Sequence, residues 1–324
     1  MTNTEARPVF ERVDSDATDA ELTVIPARPG RPALDAPSCS RCESHPPAPR
    51  VSVVIPTLNE EQNIAWVLRR LPPDMHEVIL VDGRSTDRTI EVARGVRPDL
   101  RVVSQPARGK GAALALGLAE VTGDIAVMID ADGSMDPAEI SALVGALTAG
   151  ADVVKGSRLA AGGGSTDLTL VRRLGNWALT FLANRLYHRN WRELCYGYAA
   201  FWTDVLPDLG VAEIGSPNGL DRRSRKQENG TTGRQIHYGH GFEIEAILFC
   251  RSARLGIRVA EVFSFEHERR FGQSNLATWR DGWRVLRAIV RERTYRPPRR
   301  CLDRRQRSYP LTPVLCLPSP AGPT

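Results

Sequence analysis

From residue 51 to residue 148, apolar runs of strand length alternate with stretches of helical periodicity, and this alternation restricts the chain to a sheet wrapped by helices. The strand patterns are Val51-Ser-Val-Val-Ile55, Glu77-Val-Ile-Leu-Val81, residues 101–104 and residues 124–129. Helical patterns lie between and after them, at 60–71, 86–95, 111–121 and 137–148. Strands separated by a helix run the same way, so the expected fold class is α/β with a mainly parallel central sheet. The chain has 324 residues, 42% of them hydrophobic, enough to bury a sizeable core.

Open parallel sheets bind ligands beyond the carboxyl ends of their strands. A polar cluster follows each of the four strands: Pro56-Thr-Leu-Asn59-Glu60, Asp82-Gly-Arg-Ser85-Thr-Asp87, Arg108-Gly-Lys110-Gly111, and Asp130-Ala-Asp132-Gly-Ser134. Each is weak alone, and their convergence on one sheet edge predicts a site. The period of two along a strand turns Asp130 and Asp132 to the same side, where two carboxylates suit a hard cation, Mg2+ or Mn2+. Such an ion fills its remaining positions with water and phosphate oxygens, so a diphosphate substrate is implied. In the competing account Asp130 and Asp132 only end the strand, Asp136-Pro137 caps the next helix, and Asp82 and Asp87 are turn and cap residues. The Lys110 loop is not a P-loop, because Gly111 stands where Ser or Thr should follow the lysine. A dinucleotide fingerprint also fails, with Leu114 at the third glycine position.

No apolar run approaches the roughly 18 residues that span a bilayer, and no basic segment followed by an apolar stretch opens the chain. The expectation is a protein neither secreted nor membrane-spanning. The six cysteines are irregularly spaced, which fits a reducing cytoplasm, and Cys39-Ser-Arg-Cys42 lacks the second pair a zinc site needs. Three regions follow: a disordered arm over 1–48, a folded domain over 49–275, and an amphipathic helix with a basic tail over 276–324. Gly162-Gly-Gly164-Ser165 reads as a mobile loop and residues 215–241 as an irregular insertion. In the last region Leu276, Trp279, Trp283, Leu286, Ile289 and Val290 recur at helical spacing among arginines. That stripe either packs on the domain or lies in a bilayer interface, with the basic tail beside an anionic surface.

The clusters, in this order, resemble the inverting family 2 glycosyltransferases, in particular polyprenyl- and dolichol-phosphate sugar synthases. The likeness runs over roughly 50–275 and includes Gly156-Ser-Arg158, Gly197-Tyr198, Gly241-Phe242-Glu243-Ile244-Glu245 and Arg270-Phe-Gly272-Gln-Ser274. It implies a GT-A-like nucleotide-sugar-binding sandwich. Pro56, Asn59, Glu60 and Asp82 are then expected at the base and ribose, Lys110 near the diphosphate, and Asp130 and Asp132 on the metal. Arg158 is expected to add positive charge at the reaction centre, and Arg158, Arg173 and Arg270 to hold an acceptor phosphate. The chain departs from the family where Gly83 follows Asp82 in place of a second Asp, and where Glu193 and Cys195-Tyr196 precede Gly197.

The expected activity is metal-dependent transfer of a hexose from a nucleotide sugar, of GDP-mannose or UDP-glucose type, to a polyprenyl phosphate. Its setting is cytoplasmic, peripheral at the inner face of the cell membrane, with no nucleic-acid partner. A lipid phosphate is already anionic near neutral pH and needs no general base. A hydroxyl acceptor is the alternative, with Glu243 or Glu245 as base; two apart on a helix, they point in different directions. A nonenzymatic basic scaffold for membrane or nucleic acid accounts for the arginines but not for the sheet-edge clusters.

Overall fold

The computed structural model describes residues 48–216, 237–273 and 277–296. The N-terminal arm with Cys39 and Cys42, most of the 215–241 insertion and the basic tail past Arg296 lie outside the described residues. The first strands and helices follow the expected order: β1 (Val51–Thr57), α1 (Ile64–Arg70), β2 (Glu77–Asp82), α2 (Thr89–Val96), β3 (Arg101–Ser104), α3 (Lys110–Ala119), β4 (Ile125–Met128) and α4 (Ile140–Thr148). After them come β5 (Val153–Ser157), β6 (Gly164–Ser165), α5 (Leu170–Tyr187), β7 (Ala199–Trp202) and α6 (Val211–Gly215). The last are α7 (Ile244–Arg254), β8 (Val259–Phe263), β9 (Phe265–Glu266) and α8 (Thr278–Arg291).

Seven strands form one sheet in the order β3-β2-β1-β4-β7-β5-β8. All its pairings are parallel except those of β7, which runs against both β4 and β5. The sheet is thus mainly parallel, as the strand-helix alternation requires. Residues 51–55 and 125–128 are buried without a break, because helices cover both faces. Alternate residues divide between two cores: Val54, Val81 and Met128 pack with α3 and α7, whereas Val53, Leu80 and Val127 pack with α1 and α4.

Strand order reverses at β1. From there β2 and β3 build outward on one side, and β4 lies on the other. The ladder between β1 and β4 ends at Val54 and Met128, while β1 continues beside β2 to Thr57. Pro56 lies past the β4 ladder, where its missing N–H breaks no bond to that strand. The two strands therefore part above Val54 and open the crevice in which such sheets bind ligands.

Two segments differ from the sequence reading. Gly164 and Ser165, expected in a loose loop, pair with Phe265 and Glu266 as a short parallel ladder. In α8 the inward face is Asp281, Val285, Ala288 and Ile289, whereas Trp279, Trp283 and Val290 of the expected stripe are exposed. The inner face carries polar anchors that apolar periodicity overlooks. Asp281 accepts a hydrogen bond from the Ala277 amide at the helix start, and Glu292, just past the helix, pairs with Arg251 at 2.7 Å.

Candidate active site

The loops after β1 and β2 are tied to one another. Asn59 adopts a left-handed backbone with φ of 58°, and its side-chain carbonyl accepts a bond from the Thr86 amide at 2.8 Å. Asp82 is buried at the end of β2, where its carboxylate accepts bonds from the amides of Arg84 (3.0 Å) and Ser85 (3.1 Å). Asp87 accepts from the amides of Thr89 and Glu61, the capping role that its position allows. Gly83 has a steric reason: a Cβ there would lie 3.1 Å from the Thr57 carbonyl oxygen.

Arg269 joins this rim to the carboxylate pair. Its guanidinium lies 3.0 Å from Glu60 and 3.1 Å from Asp132. Glu60 also accepts a 2.6 Å bond from the Asn63 amide group. Burial raises the Glu60 pKa above the ordinary carboxylate value despite these two donors. Beside this bridge is a cavity of about 330 Å³ lined by residues 58–63, Asp87, Arg269 and residues 271–273. Sequence reading singled out the neighbouring Arg270, whose guanidinium lies 4.9 Å from the centre of the Trp66 ring and whose amide donates to the Asp132 carbonyl. The signal for Arg269 was its place beside Arg270, which spacing alone does not resolve.

Asp130 follows β4 and sits 2.8 Å from the Lys110 ammonium at the start of α3. The same ammonium lies 3.1 Å from Glu245 in the first turn of α7. Burial raises the pKa of both carboxyls, with Lys110 opposing the rise in each. Burial alone would lower the lysine pKa, but Asp130 and Glu245 outweigh it and hold the ammonium charged. Gly197 is the floor of this group, since a Cβ there would stand 2.7 Å from Glu245 and 2.9 Å from Lys110. Glu243 points elsewhere: it binds the Arg284 guanidinium at 2.8 Å and the Gly239 amide at 2.9 Å. Only Glu245 of the two candidate bases therefore meets Lys110.

Arg158 follows β5 and is buried between two glutamates. It pairs with Glu193 through Nε at 2.9 Å and through Nη2, with Glu266 through Nη1 at 2.8 Å, and donates to the Cys195 carbonyl. Glu193, which departs from the family pattern, is the buried counter-charge of this arginine. Arg173 is exposed on the first turn of α5. The structure thus brings Asn59, Glu60, Asp82, Lys110, Asp130 and Asp132 to one crevice, and adds Arg269 and Glu245.

Asp130 and Asp132 offer hard carboxylate oxygens. Among the described residues no group of three or more His, Cys, Asp or Glu forms a metal cage. Such a donor set fits a hard divalent ion that takes its other ligands from substrate phosphate and water, and Lys110 and Arg269 are the cations that neutralise it here.

The family model of glycosyl transferase family 2 matches residues 52–210. An uncharacterized glycosyltransferase of Mycobacterium tuberculosis (strain H37Rv) is 42% identical over 212 residues, 65% of this chain and 83% of that relative. The undecaprenyl-phosphate mannosyltransferase of Micrococcus luteus is 29% identical over 237 residues, 70% of this chain and 88% of the other. Among solved structures, glucosyl-3-phosphoglycerate synthase from M. tuberculosis in complex with Mn2+, UDP-glucose and phosphoglyceric acid is similar. It is 25% identical with a TM-score of 0.54, over 76% of this chain and 80% of that one. The fold is of the GT-A type, as the resemblance implied. From its sheet, its switch-point carboxylates and these likenesses, the chain is a glycosyltransferase and belongs to glycosyl transferase family 2.

Proposed function

We propose that this enzyme transfers a hexose, with inversion, from a nucleotide sugar of GDP-mannose or UDP-glucose type to a polyprenyl phosphate. The observation that carries the reading is the convergence of Asp130, Asp132, Lys110 and Arg269 where β1 and β4 part. Two carboxylates and two cations at one point suit a diphosphate with its divalent ion. Asp130 and Asp132 would hold Mg2+ or Mn2+, which would neutralise charge on the departing nucleoside diphosphate. Lys110 and Arg269 then stand where the diphosphate oxygens need partners. Asn59, Glu60 and Asp82 belong to the rim on the β1 and β2 side, beside the cavity suited to base and ribose. The similar polyprenyl-phosphate enzyme supports a lipid phosphate acceptor, bound by exposed Arg173 and by Arg270, with residues 49–275 as the catalytic domain. The setting we infer is peripheral, at the cytoplasmic face of the membrane, in keeping with the absence among the described residues of any helix long and apolar enough to cross it.

A hydroxyl acceptor is the second reading, favoured by Glu245 facing Lys110 and Asp130. A carboxyl whose pKa is raised by burial is the better proton acceptor once Lys110 turns to a phosphate. The test is incubation of the full chain with Mg2+ or Mn2+, polyprenyl phosphate and a panel of nucleotide sugars, read by mass spectrometry of the lipid. Glycosylated lipid is expected, and Asp130→Asn or Asp132→Asn should each lower turnover by about a hundredfold or more. Near-normal turnover in both variants would remove the metal assignment. Glycosylation of a soluble hydroxyl compound, with none of the lipid, would favour the second reading.

A further inference from the structure

Helix α5 has apolar residues on two faces. Its inward face buries Asn176 and Thr180 and then Ala183 and Tyr187, with Leu179, Leu182 and Leu186 packed on the core, whereas its outward face carries Leu170, Val171, Leu174, Trp177 and Phe181. The outward residues recur at helical spacing, with Leu174, Trp177 and Phe181 exposed by 67, 59 and 61%. Trp177 and Phe181 stack on one another with ring centres 5.9 Å apart. The inward residues account for the packing of α5 on the core, so the second, outward stripe is shaped for another apolar medium.

The buried polar residues have a defined task. Asn176 donates to Glu193 at 2.6 Å and accepts from the Cys195 amide, and Thr180 accepts from the Leu194 amide. They hold the segment whose Glu193 grips Arg158. The inner face therefore serves the Arg158 cluster, which leaves the outer face to explain.

Helix α8 is docked on α5, with the Tyr187 hydroxyl donating to the Ile289 carbonyl at 2.8 Å. It exposes apolar residues of its own, Trp279 (87%), Trp283 and Val290. Charge selects the occupant. Helix α5 contains no acidic residue and carries Arg172, Arg173 and Arg185, while the only acid of α8 is buried Asp281 among four arginines. A symmetric pairing of two copies would set arginine against arginine. Tryptophan and leucine flanked by arginine match the boundary between acyl chains and anionic headgroups. At 18 residues, α5 is about 27 Å long. No described helix is long and apolar enough to cross a membrane.

We propose that the outward faces of α5 and α8 form a monotopic lipid-binding surface that lies in the interface of an anionic bilayer. Four residues separate α5 from β6, which pairs with the Phe265–Glu266 strand whose Glu266 holds Arg158. Seating α5 in lipid therefore sets the rim of the crevice at headgroup depth, where a lipid-borne phosphate is presented. In that purpose the inference rests on the polyprenyl-phosphate reading; its observations are independent of it.

The test is flotation of the full chain with phosphatidylcholine vesicles, with and without phosphatidylglycerol, in the absence of substrate. The wild type should float, more strongly with the anionic lipid. The Trp177→Glu/Phe181→Glu double variant should partition at least about tenfold less while keeping the wild type's thermal shift with Mn2+ and whichever of GDP or UDP stabilises it. Trp279→Glu/Trp283→Glu should weaken flotation separately, and Arg185→Gln/Arg287→Gln should remove the preference for anionic lipid. A wild type that fails to float on either vesicle overturns the proposal, as does unchanged flotation of the Trp177/Phe181 variant. So does a dimer, seen by light scattering, that this variant dissolves without any change in vesicle binding. Flotation is read without turnover, so loss of sugar transfer with flotation intact counts against the acceptor reading alone.

Discussion

The Lys110 ammonium lies 3.1 Å from the Glu245 carboxylate, linking the first turns of α3 and α7 across 135 residues of sequence. Because Asp130 is on its other side, one lysine is shared between two carboxylates, buried Glu245 and half-buried Asp130. Replacing it with methionine leaves both without their counter-charge, and Lys110→Met should cost about 3 kcal/mol in urea unfolding. Adding Glu245→Gln should recover part of that loss, so the double variant should be more stable than the sum of the single effects implies.

Arg158 uses all three of its nitrogens, on Glu193, Glu266 and the Cys195 carbonyl. A lysine cannot reproduce that planar fork. Arg158→Lys is expected to lower stability by about 2 kcal/mol and Arg158→Ala by about 4 kcal/mol, because Glu193 is left buried and unpaired. Chemical denaturation with donor-binding calorimetry separates this from a direct acceptor role. A variant as stable as wild type that fails only in transfer would assign Arg158 to the acceptor.

Gly197 and Gly111 leave no room for a Cβ unless a neighbour shifts. At Gly197 a methyl group would press on Glu245 and Lys110, and at Gly111 it would stand 2.2 Å from the Gly239 carbonyl oxygen. Gly197→Ala moves side-chain ends, so it should cost about 1 kcal/mol in stability yet lower turnover about tenfold or more. Gly111→Ala meets backbone and should cost about 3 kcal/mol, measured by thermal unfolding of the two variants side by side.

His240 is buried, with Nε2 donating to the Ile214 carbonyl at 2.9 Å, and its own carbonyl accepts from the Gly111 amide. Burial holds its pKa below the ordinary histidine value. The neutral form is favoured in the fold, so this contribution to stability is complete above about pH 6.5 and is lost as pH falls through the lowered value. Melting temperature followed from pH 7.5 to 5 should fall more steeply for the wild type than for His240→Gln. Parallel curves would mean that another group controls the acid limb.

The parallel sheet and its ligand edge were legible because β1, β2 and β4 are short apolar runs bounded by polar clusters, a pattern that depends on local periodicity alone. Asp130 and Lys110 could be named for the same reason: each sits just past a strand or at a helix start. The partners that complete the site could not, since Arg269 reaches Glu60 across 209 residues and Glu245 reaches Lys110 across 135. Strand β7 was missed because Ala199–Trp202 runs against both of its neighbours, outside the strand-helix alternation that marks the parallel strands. Helix α5 was missed for a different reason: it buries polar Asn176 and Thr180 while Leu174, Trp177 and Phe181 are exposed, which blurs the single inward apolar stripe that sequence reading assumes. Sequence by itself determined the fold class and the carboxylates at the sheet edge, because those follow from short-range patterning of buried and exposed positions. Tertiary structure alone decided which cation each carboxylate meets and which helix faces remain open, because side chains distant in sequence become neighbours only when the sheet and its two layers assemble.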